Sequence, residues 1–275
     1  MTNATGRARR AAGALLIGGT VAASGCAPAI STQQEVQLGQ QYATEINRQL
    51  PIVQNSRIHG YINQLGESIA RRVDPRGLDY TFYVVNAKGV NAFAVPGGYI
   101  YVNRGLIERA ANESELAGVL AHEIAHVVER HSVEQLQKAQ NANLMASVLY
   151  GVLLQRPPSG VEQVGIQVGG SAIFAGYSRD AERESDVEGV KYLVATGIDP
   201  RGMPSFFHKL MEERQRSPST VEQWFSTHPL TEERIQLVEQ QINAYPASTL
   251  NSLRRDSQAF QTFKSRVRSL PAAQS

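Results

Sequence analysis

Two histidines four residues apart, the first followed directly by a glutamate, lie inside an apolar run of helical periodicity: Glu113-Ser-Glu-Leu-Ala-Gly-Val-Leu-Ala-His122-Glu123-Ile124-Ala125-His126-Val-Val-Glu-Arg130. On an α-helix, positions 122 and 126 differ by about 40° around the axis, so both imidazoles leave one face. Position 123 is turned by about 100°, near enough to serve that face without standing on it. Histidines so spaced offer two adjacent corners of a tetrahedral metal site, and the glutamate offers a base for water held there. With 42% hydrophobic and 19% charged residues, the chain of 275 is excluded from the disordered class and fits one globular domain, at most two. Asn112 is the expected N-cap, with Glu115 three residues later as its capping-box partner.

A catalytic zinc needs a third protein ligand and an open position. His131 lies nine residues after His122, about 180° around a continued helix, and is expected to face away. The metzincin pattern fails as well, because Glu129 stands where it needs glycine and Ser132 where it needs histidine. A second segment, Tyr177-Ser-Arg-Asp-Ala-Glu182-Arg-Glu184-Ser-Asp186, puts Glu182 and Asp186 on one helical face. One of these carboxylates would ligate the metal; the other would accept the free N–H of a ligating histidine and fix its tautomer. Glu184 and Glu188 are competitors that face differently.

His122-Glu-x-x-His126 followed by Glu182-x-x-x-Asp186 resembles the gluzincins, and in particular peptidase family M48. Further matches are Asn91-Ala-Phe-Ala-Val-Pro-Gly-Gly98 with Tyr99–Val102 and Gly105-Leu-Ile107, and Ser226-Thr-His228-Pro229 with Arg234. The resemblance spans about residues 33–244. It implies an α+β, predominantly α-helical, compact zincin-type fold with a small β-sheet beside the active-site helix. It also implies zinc-dependent endoproteolysis with one Zn2+ per chain, held by His122, His126 and Glu182, with Asp186 behind them. Glu123 is then the base that activates water and later protonates the leaving amine. Asn91, Ala92, Phe93 and Ala94 are expected to form an edge strand on which an extended substrate pairs through its main chain. His228 has three readings: a donor to the oxyanion of the transition state, a fourth zinc ligand that keeps the enzyme closed, or a plain helix-entry residue before Pro229. We assign it to catalysis. His59 and His208 receive no role.

The first 25 residues read as an address. Arg7, Arg9 and Arg10 precede an apolar stretch from Ala11 to Ala23, too short to span a bilayer. Ala23-Ser24-Gly25-Cys26 resembles a lipobox, so Cys26 would carry the lipid after cleavage and residues 26–32 would be anchor and linker. As the only cysteine, Cys26 also excludes disulfides within the chain. Ala27 rather than aspartate after Cys26 implies the outer membrane, facing the periplasm, in a Gram-negative host. Beyond the leader, 24 basic residues meet 25 acidic ones, so composition gives no argument for a nucleic-acid partner. The branch of the family so resembled is linked to quality control of envelope proteins, which makes unfolded or misassembled envelope proteins the expected partners.

Periodicity predicts helices at 33–50, 56–72, 179–196, 203–216 and 231–244, and strands at 80–85, 90–95 and 99–102. Residues 33–246 are expected to form the metallopeptidase-like domain. The apolar stretch 141–176 reads as a buried helix or hairpin, or as a lid or membrane-facing element; its longest run, eleven residues, rises only about 16 Å. Residues 247–275, polar and mildly basic, read as a solvated helix or frayed tail. Two other classes stay open: a zinc-binding chaperone or adaptor that holds substrates without cutting, which the intact Glu123 argues against, and a non-peptidase zinc hydrolase.

Overall fold

The computed structural model describes residue 1, residues 30–138 and residues 176–272. The signal-like stretch beyond its first residue, Cys26, and nearly all of 141–176 lie outside the described residues, and so do the readings placed on them.

Helix α1, Thr32–Gln49, opens on a full capping box between Ser31 and Gln34. Helix α2, Ser56–Val73, opens on Asn55, whose side chain accepts from the amides of Arg57 and Ile58. Its apolar stripe, Ile58, Ile62, Leu65 and Ile69, is buried against the sheet and the central helix. Strands β1 (Thr81–Val85), β2 (Ala92–Val95) and β3 (Tyr99–Asn103) form one sheet in the order β1-β3-β2. β1 runs parallel to β3, and β2 antiparallel to it with Ala94 opposite Ile100. The β2–β3 reversal needs positive φ at Gly97 (79°) and Gly98 (94°), which glycine adopts without a Cβ clash. On the far side of β1, Ile52 bridges to Val85, whereas no described strand covers the outer edge of β2.

Then come α3 (Arg104–Arg109), α4 (Glu113–Val128), α5 (Arg179–Ala195), α6 (Gly202–Arg216), α7 (Pro218–Thr227), α8 (Glu232–Asn243), α9 (Ala247–Ser252) and α10 (Gln258–Arg268). The architecture is therefore α+β and predominantly helical, with the small sheet packed beside α4. Every residue of α4 from Glu113 to Val127 is buried, between α2, α5, α6 and β2. Asn112 caps it by accepting from the Glu115 amide. Glu115 reaches past the capping box to the Ala111 amide and is held by Lys209 of α6. Gly202 lets α6 start against the first turn of α4: a Cβ there would sit 2.3 Å from the carbonyl carbon of Ser114.

The C-terminal segment corrects the expectation of a solvated or frayed tail. Phe260, Phe263 and Val267 of α10 are fully buried in the main core, and Tyr61 of α2 stacks on Phe263 at 4.4 Å. Burying each phenylalanine contributes roughly 1.5–3 kcal/mol. Arg104 ties the helix end down by donating to the carbonyls of Arg268, Leu270 and Pro271. Two smaller differences concern β2, which starts at Ala92 rather than Val90, and α7, which the periodicity reading leaves out.

Candidate active site

Three elements converge on one buried point. The face of α4 supplies His122 and His126, α5 supplies Glu182, and His228 caps the C-terminus of α7, its amide bonded to the Trp224 carbonyl at 2.7 Å. One side-chain nitrogen or carboxylate oxygen from each of these four residues falls within a group no wider than 4.8 Å, and all four residues are buried. His122 Nε2 is 3.0 Å from His126 Nε2 and 3.4 Å from His228 Nδ1. Glu182 Oε1 is 3.0 Å from His228 Nδ1 and 3.4 Å from His126 Nε2. Glu123 lies beside this group, fully buried, its Oε1 at 3.3 Å from His228 Nε2 and its carboxyl within reach of the Ala94 backbone amide.

Behind the group, Asp186 stands one turn after Glu182, and its Oδ1 is 3.0 Å from His122 Nδ1. A proton on Nδ1 makes that contact attractive and leaves Nε2 with its lone pair toward the group. Arg234 of α8 holds both carboxylates. Its Nε and Nη2 reach Asp186 at 2.7 and 2.8 Å, and its Nη1 reaches Glu182 Oε2 at 2.5 Å. In the sequence Arg234 stands as part of the match with Ser226-Thr-His228-Pro229, with no role assigned to it; here it lies in the first turn of the helix capped by Thr231.

Burial dominates the electrostatics. It pushes the Glu123 carboxyl up, against the opposing pull of His228 and His122, and pushes His126 well below its ordinary value. For Glu182, burial works upward but is overcome by His228, His126 and His122, which hold the carboxyl well below the usual range. His228 shows the reverse balance: burial would lower it, yet Glu182 and Glu123 raise it to about 9. Three carboxyl groups, Glu123, Glu182 and Asp186, meet one guanidinium, Arg234, and the raised His228 imidazole in this buried cluster, an excess of acidic groups that a cation would offset. Buried donors of the imidazole and carboxylate type, gathered within 4.8 Å, fit a zinc ion.

The outer side of His126 differs from the sequence reading. α4 stops at Val128, and Arg130 adopts φ of 60°, a left-handed conformation that costs a non-glycine residue about 1–2 kcal/mol. Helical structure resumes at His131 after this turn, and His131, expected to face away, sits buried against His126 with Nδ1 2.9 Å from Nδ1. His131 Nε2 faces Glu184 Oε2 at 3.2 Å. Tyr177 stacks on the His126 ring at 3.8 Å between centroids and shares a hydrogen bond with Ser132. Glu188 instead pairs with Lys191, and His59 and His208 lie far from the group, His208 meeting Glu239 on the surface.

Of the four residues expected on the edge strand, Ala92, Phe93 and Ala94 are in β2 and Asn91 directly precedes it. A cavity of about 360 Å³ opens between this strand and His228, lined by Ile46, Leu50, Phe93, Tyr177, Thr227 and His228 among others. No helix among the described residues is long and apolar enough to cross a membrane.

Residues 56–242 match Peptidase family M48. A beta-barrel assembly-enhancing protease of Escherichia coli is 31% identical over 211 residues, which cover 75% of this chain and 43% of that protein. The metalloprotease LoiP of Escherichia coli is 27% identical over 222 residues, 78% of this chain and 83% of that protein. The mitochondrial metalloendopeptidase OMA1 of Arabidopsis thaliana is 32% identical over 166 residues, 60% of this chain and 32% of that protein. The chain spans about half the length of the assembly-enhancing proteases it matches. The family match covers most of the chain, including the histidine-bearing helix and the Glu182–Asp186 segment, and the chain therefore belongs to peptidase family M48.

Proposed function

We propose that the chain is a zinc-dependent endopeptidase in which His122, His126 and Glu182 hold one zinc ion and Glu123 is the catalytic base. The observation that carries this reading is a buried Glu123 carboxyl directly beside a tight imidazole–carboxylate group. Zinc, when bound, acidifies water and polarises the peptide carbonyl. Glu123 takes the proton from that water and delivers it to the leaving amide nitrogen, a transfer suited to a carboxyl raised by burial. Asp186 and Arg234 keep His122 in the tautomer that presents Nε2 and hold Glu182 ionised.

His228 donates to the oxyanion that forms on the scissile carbonyl. Its membership of the same 4.8 Å group favours a second role at rest, completing the donor set so that substrate must displace it. The uncovered edge of β2 would receive an extended peptide through main-chain hydrogen bonds, and the neighbouring cavity one of its side chains. Such recognition favours unfolded segments over particular sequences.

For the cell, the reading is a protease facing the periplasm, anchored through lipidated Cys26, in the outer membrane of a Gram-negative host, that removes misfolded or misassembled envelope proteins. Support comes from the signal-like leader and from similarity to proteases named for beta-barrel assembly. A chaperone that holds without cutting is the alternative. The test is digestion of an unfolded protein by the full chain before and after chelation. Cleavage that stops with the chelator and returns with zinc supports the proposal; cleavage indifferent to both contradicts it.

A further inference from the structure

The contacts behind His126 admit one placement of protons that leaves its Nε2 free. Glu184 Oε2 stands 3.2 Å from His131 Nε2, and a carboxylate at that distance requires a proton on the nitrogen it faces. With the ring's proton placed on Nε2, His131 Nδ1 serves as an acceptor, with Ser185 Oγ 3.4 Å away beside it. That nitrogen lies 2.9 Å from His126 Nδ1, so His126 must carry its own proton on Nδ1 and donate it. His126 Nε2 is left with its lone pair, pointing at His122 Nε2 and Glu182. The opposite order fails at both ends: it sets a bare His131 Nε2 against the carboxylate and a protonated His126 Nε2 in the donor group.

We infer that His131 is a positioning residue for the metal: oriented by Glu184, it accepts the Nδ1 proton of His126 and locks that ring in its metal-binding tautomer. This inference rests on the reading of His126 as a zinc ligand. It makes the two ligand histidines alike in kind and different in means, since His122 is backed by Asp186 and His126 by a neutral imidazole. The device reaches the N-terminal helix. His131 owes its place to the left-handed turn at Arg130, whose guanidinium is held by buried Glu35 of α1 at 2.8 Å and by the Ile30 carbonyl at 2.5 Å. Helix α1 lies outside the residues that match the family, so the positioning of His131 draws on a part of the chain beyond them.

The test measures zinc affinity of the full chain by competition with a chromophoric chelator, beside His131→Phe and His131→Gln. Phenylalanine keeps a ring but offers no acceptor, and affinity is expected to fall about 10–100-fold. Glutamine restores an acceptor oxygen and is expected to recover most of the loss, which a role in packing alone would not produce. A nitrogen-15 spectrum of the zinc-loaded wild type reads the tautomers directly: protons on His126 Nδ1 and His131 Nε2 are expected. Wild-type affinity in His131→Phe, or a His126 Nδ1 without its proton, overturns the inference. If His131→Phe does not fold, the wild-type spectrum decides alone. A wild type that binds no zinc overturns the metal reading itself and is thereby told apart from failure of the inference.

Discussion

Replacing Arg234 with methionine removes one charge from a buried ionic cluster while keeping most of the side-chain bulk. The guanidinium is 4% exposed and the two carboxylates it holds are 1% and 0% exposed, so solvent does little to soften the loss. Three close contacts disappear, two to Asp186 and one to Glu182, together with the bond to the Pro229 carbonyl at 2.9 Å. Breaking a buried pair from one side costs about 3–5 kcal/mol because it leaves uncompensated charge behind. That is a large part of the roughly 5–15 kcal/mol by which a domain is stable. Urea unfolding is well suited to the measurement, since the single tryptophan, Trp224, is buried 4.9 Å from the His228 ring and reports on this region. The loss is expected to be larger after chelation than with zinc bound, because the ion offsets the same carboxylates. Arg234→Lys should fall between wild type and methionine: an ammonium keeps the charge but cannot fork across two carboxylates. A loss below about 1 kcal/mol in the chelated methionine variant would refute the argument, since only a solvated pair is worth so little.

His228→Ala should lower turnover on an unfolded substrate at least about tenfold while zinc content stays stoichiometric, as measured by elemental analysis; unchanged proteolysis would remove His228 from catalysis. Asp74 governs an acid limb of stability. Burial would raise its carboxyl, but hydrogen bonds from Arg76 and Tyr80 overcome this and hold it below the ordinary value. A depressed carboxyl contributes stability that is complete above its unfolded pKa and is lost as pH falls through the folded one, so melting temperature should drop below about pH 5, and Asp74→Asn should flatten that limb. An unchanged profile in the variant would assign the acid limb to other groups.

The spacing of His122, His126, Glu182 and Asp186 was readable because each pair lies within one uninterrupted helix, where azimuth follows from residue count alone. His131 shows where this fails. The same arithmetic carried through Arg130 points the ring the wrong way, because a positive φ at that residue interrupts the helix and resets the azimuth. The sequence offers Arg234 only as part of the resemblance, without its partners. It meets Asp186 across 48 residues of sequence, and nothing local to either residue encodes that meeting. In α10 the signal was present: Phe260, Phe263 and Val267 follow helical spacing, but the surrounding basic residues dominated the reading. Pro218 at the first turn of α7 was another usable mark, since proline is pre-organised for that position.

The central claim is that Glu123 performs the proton transfers beside a zinc ion it does not hold. The direct measurement is cleavage of an unfolded protein by the zinc-loaded full chain and by Glu123→Gln, with zinc content determined in both. The account predicts equal zinc and a rate at least about 10²-fold lower in the variant; cleavage by the zinc-loaded variant at the wild-type rate would contradict it.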